Sequence, residues 1–221
     1  MFKLIILDFD GVIVESADIK TEAFRKLFSD CPEHVGAIVE YHKKHVGVSR
    51  YEKFSHIYET ILKRPLGKEK MAELGRRFSA LVLDEIKACP LVPGALEFLE
   101  KYSKRAKLFI ASSTPEEELR YLVKARGLEE YFKGAYGAPL KKSEIISRIM
   151  KKENVKKEEI LFVGDSTADY AEAKKVGVSF LGRVTDPINS HFPHGVKTVL
   201  NLIELSTVVK RLLREDNKCR V

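Results

Sequence analysis

Four short apolar runs punctuate the chain: LIIL (4–7), KLFIA (107–111), ILFV (160–163) and VSFL (178–181), with a weaker TVL at 198–200. None alternates apolar with polar positions. Short continuous runs of this kind fit strands covered on both faces, as in a parallel sheet. Helical spacing takes over between the later runs, in PEEELRYLVKARG (115–127), SEIISRIMKKE (143–153) and TADYAEAKKVG (167–177). Strands alternating with helices predict an α/β fold, a Rossmann-like doubly wound parallel sheet.

The pattern changes from about Ala17 to Ala88. Only helical periodicity is found there, in ADIKTEAFRKLFS (17–29), HVGAIVEYHKKH (34–45), RYEKFSHIYETIL (50–62) and KEKMAELGRRFSALVLDEIKA (68–88). A small all-helical domain over 17–88 is therefore expected to interrupt an α/β core made of 1–16 and 89–221. The connections are VES (14–16) and CPLVPG (89–94), and Pro93 is placed to open the next helix, GALEFLEKYS.

Composition narrows the picture. The chain has 221 residues, 44% of them hydrophobic, and no apolar run approaches the roughly 18 residues that span a bilayer. The N-terminus, MFKLIILDFDG, meets two acids and shows no small-residue cleavage site, so no signal peptide is expected. Cys31, Cys89 and Cys219 are widely spaced and form no CxxC pair, which points to a reducing cytoplasm and no zinc ribbon. The formal charge is +7, but Lys and Arg are mostly interleaved with Glu, as in KKENVKKEE (151–159). That is a solvated helix surface, and nucleic acid is not an expected partner.

Ligands of open α/β sheets bind outside the carboxyl ends of the strands. The residues just after each run are therefore the place to look for chemistry. Asp8-Phe9-Asp10-Gly11 comes after LIIL; Ser112-Ser113-Thr114 after the second run; Gly164-Asp165-Ser166 and then Asp169 after the third; Lys141 and Lys142 precede a helix. Each cluster also has a purely structural reading. Asp10-Gly11 can turn a hairpin. Thr114, Pro115 and Glu117 can start a helix, Ser166 with Asp169 can cap one, and Ser143 another. These readings leave Ser112, Ser113 and Asp165 without a task. They also place two cations against a helix dipole.

Taken together, the four clusters resemble the haloacid dehalogenase-like superfamily of phosphohydrolases. DFDGVIVES matches its DxDGx(V/T/I)xxS opening, IASS its strand-then-Ser/Thr motif, Lys142 its helix-opening lysine, and GDSTAD its GDxxxD. The order is right over the whole chain, and the helical stretch resembles the family's cap. The family's lysine is often followed by Pro, whereas Ser143 follows here, and the KK doublet leaves Lys141 as an alternative. The resemblance implies a Mg²⁺-dependent phosphatase acting through an aspartyl-phosphate. It implies Asp8 as nucleophile, Asp10 as general acid and base with a free side chain, and Ser112 and Lys142 holding the phosphoryl group. Asp8, Asp10 (through its carbonyl), Asp165 and Asp169 then form the metal site. Ser113 and Arg50, the latter in a Gly-x-Ser-Arg stretch of the insert, are implied substrate contacts.

Within the insert, Ser49 and Glu52 form a candidate capping box, and Tyr51, Phe54 and Tyr58 share a face that reads as core. His42, His45, His191 and His194 read as surface or packing residues. The expected partner is a small phosphorylated metabolite that fits beneath a closing cap. A phosphomutase shares every core residue and remains the nearest rival, followed by a non-catalytic binding protein on the same fold.

Overall fold

The computed structural model describes residues 2–188 and 190–218, with side chains through residue 211; Cys219 lies outside. Six parallel strands form one sheet: β1 (Leu4–Leu7), β2 (Lys107–Pro115), β3 (Gly134–Ala138), β4 (Ile160–Gly164), β5 (Ser179–Arg183) and β6 (Thr198–Val199). Their order is β3-β2-β1-β4-β5-β6, so β1 is central and the chain reverses direction across it. β1 pairs in register with β2 on one side and β4 on the other, Leu7 lying opposite Ile110 and Val163. A central strand with parallel neighbours excludes the hairpin reading of Asp10-Gly11.

Alternation along these strands splits the core in two. Ile5, Leu7, Leu108, Ile110, Leu161 and Val163 face one cluster. It is closed by α5 (Ala95–Tyr102), α6 (Glu116–Ala125) and α9 (Leu202–Lys218). Leu4, Ile6, Phe109, Ile160 and Phe162 face the other, closed by α7 (Lys142–Glu153) and α8 (Thr167–Val176). Both faces are dry, which is why the runs read as continuous rather than alternating. β3 has no counterpart among the apolar runs. Its sequence, GAYGA, is a Gly/Ala-rich edge strand of low β-propensity, held by pairing with β2.

Between β1 and β2 lie α1 (Ala17–Leu27), α2 (Pro32–Lys44), α3 (Arg50–His56), a π-helical turn at Ile57–Ile61, and α4 (Lys68–Ala88). This helical insert packs around Phe24, Phe28, Phe54 and Phe78, whose rings meet at centroid distances of 5.0–6.5 Å. The two connections to the sheet pair with each other: Val14 bridges Leu91, and Glu15 N–H donates to the Pro90 carbonyl. Helix starts differ from expectation at three places. Pro93 does not open α5, whose N-cap is Gly94. Ser49 caps α3 without a side-chain hydrogen bond. Ser143 lies inside α7, where Glu144 accepts from the Lys141 N–H instead. Among the described residues no helix is long and apolar enough to cross a membrane.

Candidate active site

The sheet register continues one residue past β1, because Asp8 N–H donates to the Val163 carbonyl at 2.9 Å. That bond fixes Asp8 at the carboxyl edge, 3% exposed. Its Oδ1 accepts from the Phe9 N–H at 2.6 Å and its Oδ2 from Lys142 Nζ at 2.5 Å. Lys142 opens α7 and is itself buried, and its ammonium also donates to Asp169 Oδ1. Lys141 is the exposed N-cap, and of the doublet it is Lys142 that reaches Asp8.

Asp169 serves two ends. Its Oδ2 accepts from the Ser166 N–H and hydroxyl, while the Asp169 N–H donates back to Ser166 Oγ, a complete capping box on α8. The structural and the chemical reading of GDSTAD therefore hold together: the cap fixes a buried carboxylate that in turn fixes Lys142. Burial disfavours the charged lysine, but Asp169 and Asp8 outweigh it and push its pKa up.

Asp165 completes an acidic triplet. Carboxylate oxygens of Asp8, Asp165 and Asp169 lie within 4.8 Å of one another. Lys142 pairs with Asp8 and Asp169 only, and no hydrogen bond reaches the Asp165 carboxylate among the described residues. Burial, then Asp8 and Asp169, pushes Asp165 well above its ordinary value. Burial carries Asp8 to about 7 against the pull of Lys142, with Asp169 and Asp10 adding to the rise. The Asp10 carbonyl likewise accepts no backbone hydrogen bond among the described residues. An excess of buried negative charge with free oxygen donors suits a hard divalent cation such as Mg²⁺. Gly11 makes room for this cluster: its φ is +70°, and a Cβ there would lie 1.9 Å from Asp165 Oδ2.

Asp10 departs from expectation. Its side chain is not free: Ser16 Oγ donates to Oδ1 at 2.7 Å, Thr114 Oγ1 to Oδ2 at 2.9 Å, and Lys20 Nζ sits 2.5 Å from Oδ2. Burial would raise its pKa, but the Lys20 charge and the hydrogen bonds from Lys20, Ser16 and Thr114 prevail and lower it. Thr114 is thus a site residue rather than a helix cap; it lies on β2, and α6 starts two residues later without a side-chain cap. The helix-start reading concealed it. Lys20 carried no motif and was not foreseen.

Ser112 is 1% exposed, and its Oγ accepts from the Thr114 N–H at 3.1 Å. Ser113 reaches the insert, donating to the Gly47 carbonyl. Gly47 has φ +85°, and a Cβ there would fall 2.2 Å from Ser166 Oγ, so the insert loop touches the sheet edge only as glycine. A cavity of about 250 Å³ lies between, floored by Asp8, Asp10, Ser112, Ser113 and Asp165 and roofed by Phe24, His42, Arg50, Lys53 and Phe78.

Arg50 is 6% exposed, not the solvated arginine of a helix end. It lies 4.6 Å from the Phe78 ring centre, donates to both Glu118 carboxylate oxygens at 2.8 and 3.1 Å, and reaches Ser79 Oγ at 2.9 Å. His42 is buried in the roof, whereas His45 is an exposed ring tilted against Tyr41. His191 is nearer the site than its sequence context suggests, with Nε2 2.8 Å from the Asp165 carbonyl.

Comparison with known proteins agrees with this architecture. The profile of the haloacid dehalogenase-like hydrolases matches residues 5–183. The chain belongs to that family. It is 28% identical to a phosphorylated carbohydrates phosphatase from Thermotoga maritima, over 95% of this chain and 99% of that protein. It is 26% identical to a phosphoglycolate phosphatase from Synechococcus elongatus, over 79% of this chain and 80% of that protein. A crystal structure of a CbbY variant from Rhodobacter sphaeroides, in complex with xylulose-(1,5)-bisphosphate, superposes with a TM-score of 0.73 at 18% identity. It covers 91% of this chain and 95% of that one, a likeness of fold.

Proposed function

We propose that this hydrolase is a Mg²⁺-dependent phosphatase of a small phosphorylated metabolite, with residues 17–88 acting as a cap over a core of 1–16 and 89–221. The observation that carries the reading is the meeting of Asp8, Lys142, Asp169 and Asp165, drawn from separate strand ends and helix starts, at the base of a cavity roofed by the helical insert. Asp8 and Asp165 would hold the ion by side chain and Asp10 by its carbonyl, with Asp169 supporting them through Lys142. When bound, Mg²⁺ neutralises the acids and draws charge from the phosphoryl oxygens.

The residues divide the remaining work. Asp8 Oδ attacks phosphorus and forms an aspartyl-phosphate, releasing the alcohol. Asp10 gives the leaving oxygen its proton and afterwards takes one from the water that cleaves the acyl phosphate, restoring Asp8 and yielding inorganic phosphate. Lys142, the Ser112 hydroxyl and neighbouring N–H groups hold the transferring oxygens. The insert excludes bulk water, and Ser113 and Arg50 border the substrate. A small substrate accords with the cavity volume and with what the two named relatives act on, phosphorylated carbohydrates and phosphoglycolate. Release of inorganic phosphate from a panel of phosphorylated metabolites, with Mg²⁺ and with a chelator, tests the reading. Mg²⁺-dependent release supports it. Isomerised sugar phosphate without net release would indicate a mutase instead, and complete inertness a binding protein.

A further inference from the structure

The roof of the cavity holds a cation that the structure leaves without a counter-ion. Lys53, on α3, is 3% exposed. Its Nζ lies 3.0 Å from His42 Nδ1, on α2, and 5.5 Å from the centre of the Phe24 ring. No carboxylate stands within ion-pair distance of it among the described residues. Of the other insert cations lining the cavity, Lys43 is exposed to solvent and Arg50 is held in two hydrogen bonds by Glu118. Lys20 is committed to Asp10 and Thr114.

His42 cannot supply the missing charge. Burial and the neighbouring Lys53, Lys20 and Lys43 hold its pKa at about 3, so it is a neutral ring. Accepting from Lys53 at Nδ1, it carries its own hydrogen at Nε2. Of the three ammonium donors on Lys53 this contact uses one. A buried, unneutralised ammonium is costly: burial and then Lys20 bring the Lys53 pKa down to about 7 against the pull of Asp165 and Asp10, and an anion entering the cavity offsets that cost and holds the charge on Lys53. The reacting phosphoryl group has its own cradle on the floor, at Asp8, Ser112 and Lys142. A molecule seated there presents its opposite end to the roof.

We propose that the Lys53 ammonium, braced by His42, recognises an anionic group at the non-reacting end of the substrate. This deepens the phosphatase reading and rests on it. The substrate is then a short phosphomonoester with a second anion, a carboxylate or a further phosphate, spanned by a few carbons between aromatic walls. Uncharged phosphorylated alcohols of the same length would fill the cavity but leave Lys53 unmatched.

Matched substrate pairs test this with the full chain and Mg²⁺. One pair is 2-phosphoglycolate and 2-hydroxyethyl phosphate; the other is propane-1,3-diol bisphosphate and its monophosphate. The wild-type kcat/KM is expected to favour the doubly anionic member at least about tenfold in one pair, which identifies the anion as carboxylate or phosphate. In Lys53→Met that ratio falls to within about threefold of unity, chiefly through KM, while Lys53→Arg keeps the preference. Wild-type ratios near one in both pairs overturn the proposal, as does an unchanged ratio in folded Lys53→Met. The wild-type ratios decide even where the methionine variant fails to fold. Absence of phosphate release from all four compounds and from p-nitrophenyl phosphate takes down the phosphatase reading itself, and this proposal with it.

Discussion

Lys20 Nζ lies 2.5 Å from Asp10 Oδ2 and 3.1 Å from Thr114 Oγ1, so one ammonium on the first helix of the insert ties together the ends of β1 and β2. The contact makes the ionisation of Asp10 depend on the insert being closed. With Lys20 in place the Asp10 carboxyl stays below its ordinary value, which favours the ionised form needed in the second step, where it takes a proton from water, while the first step draws on the protonated minority. Removing the charge in Lys20→Met lets burial raise it. The acidic limb of the kcat–pH profile is expected to move to higher pH in that variant. A limb that stays in place would show that Lys20 does not govern the acid.

Asp8→Asn keeps the shape of the side chain and removes its nucleophilic charge. Turnover is expected to drop by at least about a thousandfold. The fold should survive, because Lys142 retains Asp169 and Oδ1 still accepts from Phe9 N–H. Thermal midpoints within about 3 °C of wild type, with phosphate release assayed on the same preparation, make the comparison clean. Substantial turnover in the folded variant would reassign the nucleophile.

Arg50 and Glu118 clamp the insert to α6 from opposite sides of the cavity wall, with Ser79 Oγ donating to Glu118 at 2.5 Å. Glu118→Ala leaves a buried guanidinium unpaired, which costs about 3 kcal/mol and lowers the thermal midpoint by about 5–10 °C. The double variant Arg50→Met/Glu118→Leu removes the charge with its partner and is expected to recover most of the loss. Losses that simply add across the two positions would mean that the pair does not act as a unit.

The parts of this fold that were legible in the sequence are those where one physical demand dominates. Ile6 and Phe162 face a different layer from Ile5 and Leu161, and all are fully buried, so the runs announce a parallel sheet without naming its edge. GAYGA stayed hidden because an edge strand of small residues has no hydrophobic signature. Asp8, Ser112, Lys142 and Asp165 were readable because each interrupts the grammar of a strand end or a helix start. Thr114 was not, since a threonine before proline reads first as a helix cap. Lys20, Lys53, His42 and Glu118 act through contacts made across the insert, and periodicity locates a helix face without saying what that face will meet. Even Asp10, found at once, was misread in one respect: its oxygens are occupied by partners 6, 10 and 104 residues away.

Metal addition and pH are linked through the acidic cluster. Asp8 rises from 3.8 to about 7 in the folded protein, and Asp165 rises as well. Without metal, the folded state therefore holds more protons than the unfolded state between about pH 4 and 7. The contribution of these groups to stability is complete below their unfolded pKa and is lost as pH rises through the folded one. A divalent cation relieves the same repulsion and competes with those protons. The midpoint gain from Mg²⁺ should consequently be small at pH 5 and larger at pH 7.5, about 5–10 °C at a hundred times Kd. His42 lies outside the acidic triplet and stays neutral at both pH values, whereas Lys53 feels the Asp165 and Asp10 charges; its charge at pH 5 adds to the repulsion of a cation and so acts in the same direction. Asp165→Asn should lose most of the gain at both pH values. Equal gains at pH 5 and 7.5, retained in Asp165→Asn, would place the stabilising ion somewhere other than beside Asp8.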